Sequence, residues 1–281
     1  MIGICVDSNS QLPAALVVRY GIEVVALTVT VDGVDHLEGI DITDAAFYAA
    51  WNDGKAPTVE TSQPSPGQFV EAYQRLAARG CTEILSIHIT DSMSGTLNSA
   101  GIAARMVDVP VRLVDSGTVS FGISCCAWAA AEAIADGADL QDAAAIAEQR
   151  AAALGTTFVV GVPQLVERSG RADGAGVQDA ADQGIPVLSM AGGKLEVIDT
   201  VTSMADAVSA MVEYAMHWAP SSSAGLRVAI GTSDHSSAPV SAALTDALRD
   251  HPALAEAPVQ YTIGPSVGAH TGPGTAGLFV F

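Results

Sequence analysis

Basic residues are scarce: 12 Lys and Arg stand against 31 Asp and Glu in 281 residues, a formal net charge of −19. That balance repels a phosphate backbone and leaves no Lys/Arg stripe for counterion release, so no nucleic-acid partner is expected. Cysteine is equally sparse. The four present form no CxxC pair and no ligand spacing with histidine, which argues against a zinc site, a dithiol redox centre or any other metal. Cys125 and Cys126 are adjacent, Cys5 and Cys81 lie in or beside apolar segments, and all four read as reduced core residues. The uncharged run Ser116 to Ala131 is 16 residues long and carries Gly117, Gly122 and several serines, short of the roughly 20 apolar residues a membrane span needs. The opening MIGICVDSNS has no basic n-region, so no stable membrane insertion and a cytoplasmic location are expected. Nucleotide motifs are missing too: there is no GxxxxGK[ST], and the GAG at 174–176 lacks a preceding strand and a third glycine.

What the chain does have is small hydrogen-bond donors set beside Gly or Pro in turns. They are TSQPSPGQF from Thr61, TDSMSGT from Thr90, RSGR from Arg168 and HTGPG from His270. Amides, hydroxyls and one or two cations gathered in such turns hold an anion despite a distant, screened net charge.

Strand and helix signals alternate through the first half. Ile2 to Val6 and Glu23 to Val31 read as strands, with a helix from the turn at Pro13 through Tyr20 between them. Thr43 caps a helix to about Asn52, and Asp53 to Pro64 reads as a loop. Ser65, Pro66 and Gln68 form a capping box with proline at the first helical position, giving a helix over 66–78. Strands at 83–89 and 111–114 with helices at 96–107, 119–135 and 140–154 complete a pattern that predicts a mostly parallel sheet, with ligand sites at the carboxyl ends of its strands. After Gly155 the order changes. A strand at 157–162, a hairpin over 186–201 and further strand and helix signals to Phe281 predict a second α/β domain, so the division is 1–155 and 156–281. The donor turns come from both halves, which predicts a ligand between the two domains.

The order and spacing of the Asp7-Ser8 turn, TSQPSPGQF, SMSGTLNSA at 92–100, Asp115-Ser116, the SGR turn at 169–171 and HTGPG resemble the DegV family of bacterial fatty-acid-binding proteins along the whole chain. The resemblance implies a first α/β domain, a second with a mixed sheet, and a long-chain fatty acid between them. It also implies a non-enzymatic role, in which the carboxylate is presented to a separate fatty acid kinase subunit that makes acyl phosphate; the bound fatty acid is a ligand and no cofactor is implied. A carboxylate leaving water needs several donors. Thr61, Ser62 and Ser94 offer hydroxyls, and Gly95 and Thr96 offer amides at a helix start, where the dipole favours negative charge. Capping is the alternative for Thr61, Ser62 and Ser94. His36, His88, His217, His235 and His251 read as surface or satisfied structural residues, whereas the match to HTGPG assigns His270 and Thr271 to the carboxylate. Arg171 is the cationic candidate, its alternative a solvated loop arginine.

Phe158, Val160, Leu165, Val187, Leu188 and Met190 are available to line the tail, though most would be core in any domain. The chain departs from the family pattern at Ser169, which replaces a glycine. It departs again at ADGAGVQDAADQGIPVL (172–188), where Asp173, Asp179 and Asp182 stand in a usually apolar and basic segment and Ile185 replaces a lysine. These changes bear on chain-length preference. The enzymatic rival is a serine hydrolase using Ser94 with His270 and Asp7 or Asp115, against which stands the lack of a GxSxG elbow. A binder of another small carboxylate or phosphate is the remaining alternative.

Overall fold

The computed structural model describes residues 1–51, 56–172, 174–218 and 225–281. In chain order the elements are β1 (Ile2–Asp7), α1 (Ala14–Tyr20), β2 (Glu23–Val25), β3 (Thr28–Val31), β4 (Val34–Leu37), α2 (Asp44–Ala49), β5 (Val59–Ser62), α3 (Pro66–Ala78), β6 (Glu83–His88), α4 (Thr96–Ala104), β7 (Val111–Asp115), α5 (Phe121–Ala135) and α6 (Leu140–Ala152). They continue with β8 (Gly155–Val159), α7 (Pro163–Arg168), α8 (Val177–Ala181), β9 (Ile185–Ala191), β10 (Lys194–Val201), α9 (Met204–His217), β11 (Val228–Thr232), α10 (Ala238–Leu248), β12 (Val259–Thr262), α11 (Pro265–Thr271) and β13 (Ala276–Val280). This is an α/β fold with a parallel sheet, a mixed sheet and a small three-stranded sheet.

The chain divides into two compact units, Met1–Asp41 with Glu60–Ala152, and Ile42–Val59 with Ala153–Phe281. In the first, the sheet runs β2-β1-β6-β7 with every neighbour parallel. Its central strands, β1 and β6, are buried almost throughout, as a doubly covered parallel sheet requires. Phe69, Ala72, Tyr73 and Leu76 of α3 and Ala100 and Ala103 of α4 form a core with Cys5, Val25 and Ile84, and α5 contributes a buried face that includes Cys125 and Cys126. All four cysteines are free and buried; burial raises the thiol of Cys126 to about 12.

The local structure departs from the sequence reading in two places. The single strand expected over Glu23 to Val31 is broken at Ala26 and Leu27, because β2 pairs with β1 while β3 turns away to pair with β4 in a small sheet ordered β4-β3-β5. The Leu27 amide donates to Ser8 Oγ at 3.0 Å and its carbonyl accepts the Glu38 amide at 3.0 Å, fastening the break. Asp32 and Gly33 both have positive φ, 49° and 81°, and so form the tight turn that an Asp-Gly pair favours between antiparallel strands. Residues 59–62 form β5 rather than a continuous loop. The part of that expected loop at 53–55, the helix end at Asn52, Asp173 and the loop at 220–224 lie outside the described residues.

In the second unit the sheet runs β10-β9-β8-β13-β11-β12; β11 and β12 are parallel and the other paired neighbours antiparallel. Alternation along the strands sends successive side chains to opposite faces. Val159 and Val187 join Met211 of α9 and Leu244 of α10 on one face. Val160 and Leu188, with Phe158 beside them, meet Val166, Ala172 and Val177 on the other. The atypical 172–185 segment is therefore partly helical, and α8 buries Val177 completely. Residues 42–59 belong to this unit because α2 seats Phe47 and Tyr48 against α11. A Cβ on Gly268 would lie 2.8 Å from Phe47 and 2.4 Å from Tyr48 Oη, and Tyr48 Oη donates to the Ile263 carbonyl at 2.8 Å.

Candidate functional site

The first unit assembles its donors where strands β1 and β6 end. Asp7, fully buried, accepts the Asn9 amide at 3.1 Å on Oδ1 and the Ile89 amide at 3.0 Å on Oδ2. Oδ2 also meets His88 Nδ1 at 3.0 Å; His88 Nε2 lies 2.6 Å from Ser86 Oγ, which lies 2.9 Å from Tyr73 Oη. The side chains of Asp7, Ser86, His88 and Tyr73 satisfy one another inside the sheet, as buried polar groups must. Ile89 leads directly into the turn at 90–96, so its entry is fixed by a buried carboxylate.

Within that turn the Met93 and Ser94 amides donate to the Thr90 carbonyl at 3.1 and 3.2 Å. Ser94 Oγ lies 2.8 Å from Thr96 Oγ1 and accepts the Thr96 amide at 3.3 Å. Gly95, rather than Ser94, stands at the N-cap of α4. Thr96 is fully buried and Ser94 and Gly95 are half-buried. The segment holding Thr61 and Ser62 reaches the same turn through Gln63: a Cβ on Gly95 would lie 2.6 to 2.8 Å from the Gln63 carboxamide. Gln63 is the residue that the motif reading passed over. Ser65 and Gln68 complete the reciprocal capping box at the start of α3, which leaves Thr61 and Ser62 outside the cap.

The second unit holds Arg171, His270 and Thr271. The sequence suggested that His270 occupies a Gly/Pro turn; instead it lies in the last turn of α11, and the turn proper begins at Gly272, whose φ of 75° ends the helix. Pro265 at the first helical position and the Gly272 stop were the legible signals. Burial, reinforced by the nearby Arg171 guanidinium, pushes His270 down to about 4. At neutral pH it is an uncharged imidazole, one nitrogen donating and the other accepting. Arg171 is half-buried, its own pKa lowered by burial, and its side chain is braced by Nη1 donating to the Ser169 carbonyl at 3.2 Å. Ser169, the residue in place of a glycine, also accepts the Arg171 amide on Oγ at 3.1 Å. The Thr271 hydroxyl donates to the Val267 carbonyl at 3.2 Å, along its own helix; its carbonyl accepts the Val162 amide at 3.0 Å.

Asp234 is a second residue that the motif reading passed over. It follows β11 in the run TSDHSS, and the hydroxyl-rich flank was its only sequence signal. It lines a cavity of about 580 Å³ together with Thr43, Asp44, Ala45, Tyr48, Ala49, Ser233, His235 and Thr262. Among the described residues its lining carries Asp44 and Asp234 and no Lys or Arg, a set that disfavours a carboxylate. The acids weighed for a hydrolase are committed elsewhere: Asp7 to His88, and Asp115 to the amides of Gly117 at 2.8 Å and Asp91 at 3.4 Å. Among the described residues, no group of three or more His, Cys, Asp or Glu side chains is placed to hold a metal, and no helix is long and apolar enough to cross a membrane.

The architecture recurs in known proteins. A DegV domain-containing protein of Streptomyces coelicolor is 36% identical over 282 residues, covering 99% of this chain and 98% of the relative. One from Mycobacterium bovis is 29% identical over 277 residues, with 98% and 95% covered. Among solved structures, a fatty-acid-binding DegV family protein from Thermus thermophilus superposes with a TM-score of 0.89 at 28% identity, covering 100% and 99% of the two chains. A stearic-acid-binding protein from Eubacterium ventriosum shares the fold, with a TM-score of 0.83 at 23% identity over 100% and 98%. The family model described as uncharacterised protein, DegV family, matches residues 1–281, and the chain belongs to the DegV family.

Proposed function

We propose that this chain is a non-enzymatic carrier that binds a long-chain fatty acid and presents its carboxylate to a separate kinase for acyl-phosphate formation. The observation that carries this reading is the buried His270 imidazole held uncharged with the Arg171 guanidinium near enough to act on it. A guanidinium and a neutral, buried imidazole supply one charge and one directed hydrogen bond, which suits a single carboxylate. The Ser94 and Thr96 hydroxyls, the Gly95 amide, and Thr61 and Ser62 are the further donors of the reading, while Thr271 acts through its helix end. No step needs a cofactor, because the chemistry belongs to the kinase and this chain supplies binding and orientation.

The tail is assigned to the sheet face of Phe158, Val160 and Leu188, beneath α7 and α8. Val187 faces the opposite core and is no part of that surface. Each buried methylene contributes about 0.8 kcal/mol, so a long acyl chain contributes on the order of 10 kcal/mol before ordering costs. The test is denaturing extraction of the purified protein followed by mass spectrometry. A stoichiometric fatty acid is expected; a lipid-free protein that also refuses added oleate would remove the reading.

A further inference from the structure

The His270 turn is held from two sides. On one, the Val162 amide donates to the Thr271 carbonyl, and the Gly161 amide donates to Thr275 Oγ1 at 3.4 Å. The fit is tight: a Cβ on Gly161 would lie 1.7 Å from the Pro273 carbonyl oxygen, and one on Gly272 would lie 2.3 Å from Val162. On the other side stands a single carboxylate. Asp234 Oδ1 accepts the Gly274 amide at 2.8 Å and the Ser233 and Ser236 hydroxyls at 2.9 Å each, while Oδ2 accepts the Ser236 amide at 3.3 Å.

That carboxylate is itself held in place. Ser237 Oγ accepts the amides of Ser233 at 3.1 Å and Asp234 at 3.3 Å, and donates to the Asp234 carbonyl at 2.9 Å. Burial alone would raise the Asp234 pKa, but the hydrogen bonds from Gly274, Ser236 and Ser233 outweigh it and keep the group below the ordinary carboxylate value. An ionised acceptor makes these bonds stronger than neutral ones. Gly274, with φ at 83°, has a conformation a side chain would strain. The turn therefore has little freedom of its own once its amide is held.

We propose that Asp234 is a positioning residue: by holding the Gly274 amide it fixes the end of α11 and so keeps His270 beside Arg171. This rests on the fatty-acid reading for its consequence, since the pair it positions is the one assigned to the carboxylate. Asp234 touches no ligand in this scheme and acts only through the turn.

The test compares Asp234→Ala, Asp234→Asn and Ser236→Ala by thermal melting, by NMR titration of His270, and by oleate affinity. Losing the anchor should return the His270 titration toward the ordinary histidine range and weaken oleate binding about tenfold, the worth of one charge-assisted hydrogen bond. Asn retains an Oδ1 acceptor, so Asp234→Asn should rescue both readouts to within about threefold. An Asp234→Ala protein with wild-type His270 titration overturns the proposal, and so does an Asn variant as impaired as Ala. If Asp234→Ala does not fold, Ser236→Ala, which removes one of the donors on Oδ1, should move His270 in the same direction, and a motionless titration overturns the proposal. Wild-type protein that takes up no oleate would remove the fatty-acid reading, while the His270 titration would still decide the role of Asp234.

Discussion

Asp7 and Asp234 each sit at a strand end and accept a backbone amide from a distant turn, yet their surroundings differ. Asp7 ends a central strand of a parallel sheet, fully buried, with an imidazole and two amides as its partners. Asp234 follows a strand of the mixed sheet, with hydroxyls, amides and the exposed His235 imidazole, 3.7 Å from Oδ2, as partners, and keeps contact with the cavity that it lines. A carboxylate without water must have every lone pair answered by the fold, so removing it unsettles the fold itself. One that keeps some solvent can fasten a turn while the core beneath remains intact.

The largest expected effect tests the first half of that contrast. Asp7→Ala leaves two buried amides and His88 without their acceptor and should cost about 3–5 kcal/mol, as breaking a buried polar network does. The measurement is the urea midpoint at constant slope. A loss below about 1 kcal/mol would erase the distinction between the two carboxylates.

Next comes the pH dependence of the second unit. His270 titrates near 4 in the folded chain and near 6.5 when unfolded, so between those values the unfolded chain binds the extra proton and stability rises with pH. Its contribution is fully present above pH 6.5 and falls away as the pH drops toward 4, by roughly 2–3 kcal/mol. Replacing His270 by Asn should flatten that part of the stability profile measured by denaturant unfolding across pH 4 to 7. A profile parallel to wild type would remove the burial and the Arg171 charge as the cause of the lowered His270 titration.

The parallel sheet was legible because strand, turn and helix signals alternate within short windows, and the 66–78 helix because Ser65, Pro66 and Gln68 announce it. The break at Ala26 and Leu27 was not, since Glu23 to Val31 reads as one β-rich run and the change of sheet depends on the long-range bonds of Leu27 with Ser8 and Glu38. The same holds for residues 42–59: nothing local marks Phe47 and Tyr48 as partners of Gly268 in the last helix of the chain. Within the candidate site, the donor turns could be read as motifs, but Gln63 and Asp234 could not. Each acts by touching a glycine far along the chain, a relation carried by tertiary packing alone. His270 was found by its motif and misplaced in its element, because the Gly and Pro that mark the turn begin two residues after it.

A smaller effect is expected at Ser94. Removing its hydroxyl deletes the contacts with Thr96 Oγ1 and the Thr96 amide at a half-buried position. Ser94→Ala should weaken oleate binding by about tenfold while lowering stability by no more than about 1 kcal/mol. Unchanged affinity in a lipid titration would take Ser94 out of the binding set.

Smallest is Gly95→Ala, and here the two units part again. Gly95 has φ −74° and ψ 8°, a conformation alanine adopts without strain, and the atoms nearest the new methyl belong to the exposed Gln63 carboxamide. That end of a flexible side chain can swing away, so stability should change by less than about 0.5 kcal/mol in a thermal melt. The glycine at 161 has no such outlet, because the obstacle there is the Pro273 carbonyl, part of the backbone. A Gly95→Ala protein destabilised by more than about 1 kcal/mol would mean that Gln63 is held as firmly against its turn as Pro273 is against Gly161. The first unit's donor turn would then be as rigid as the second's, and the difference between a turn held at its start by Asp7, the Thr118 carbonyl and Asp115 and one wedged on both sides would disappear.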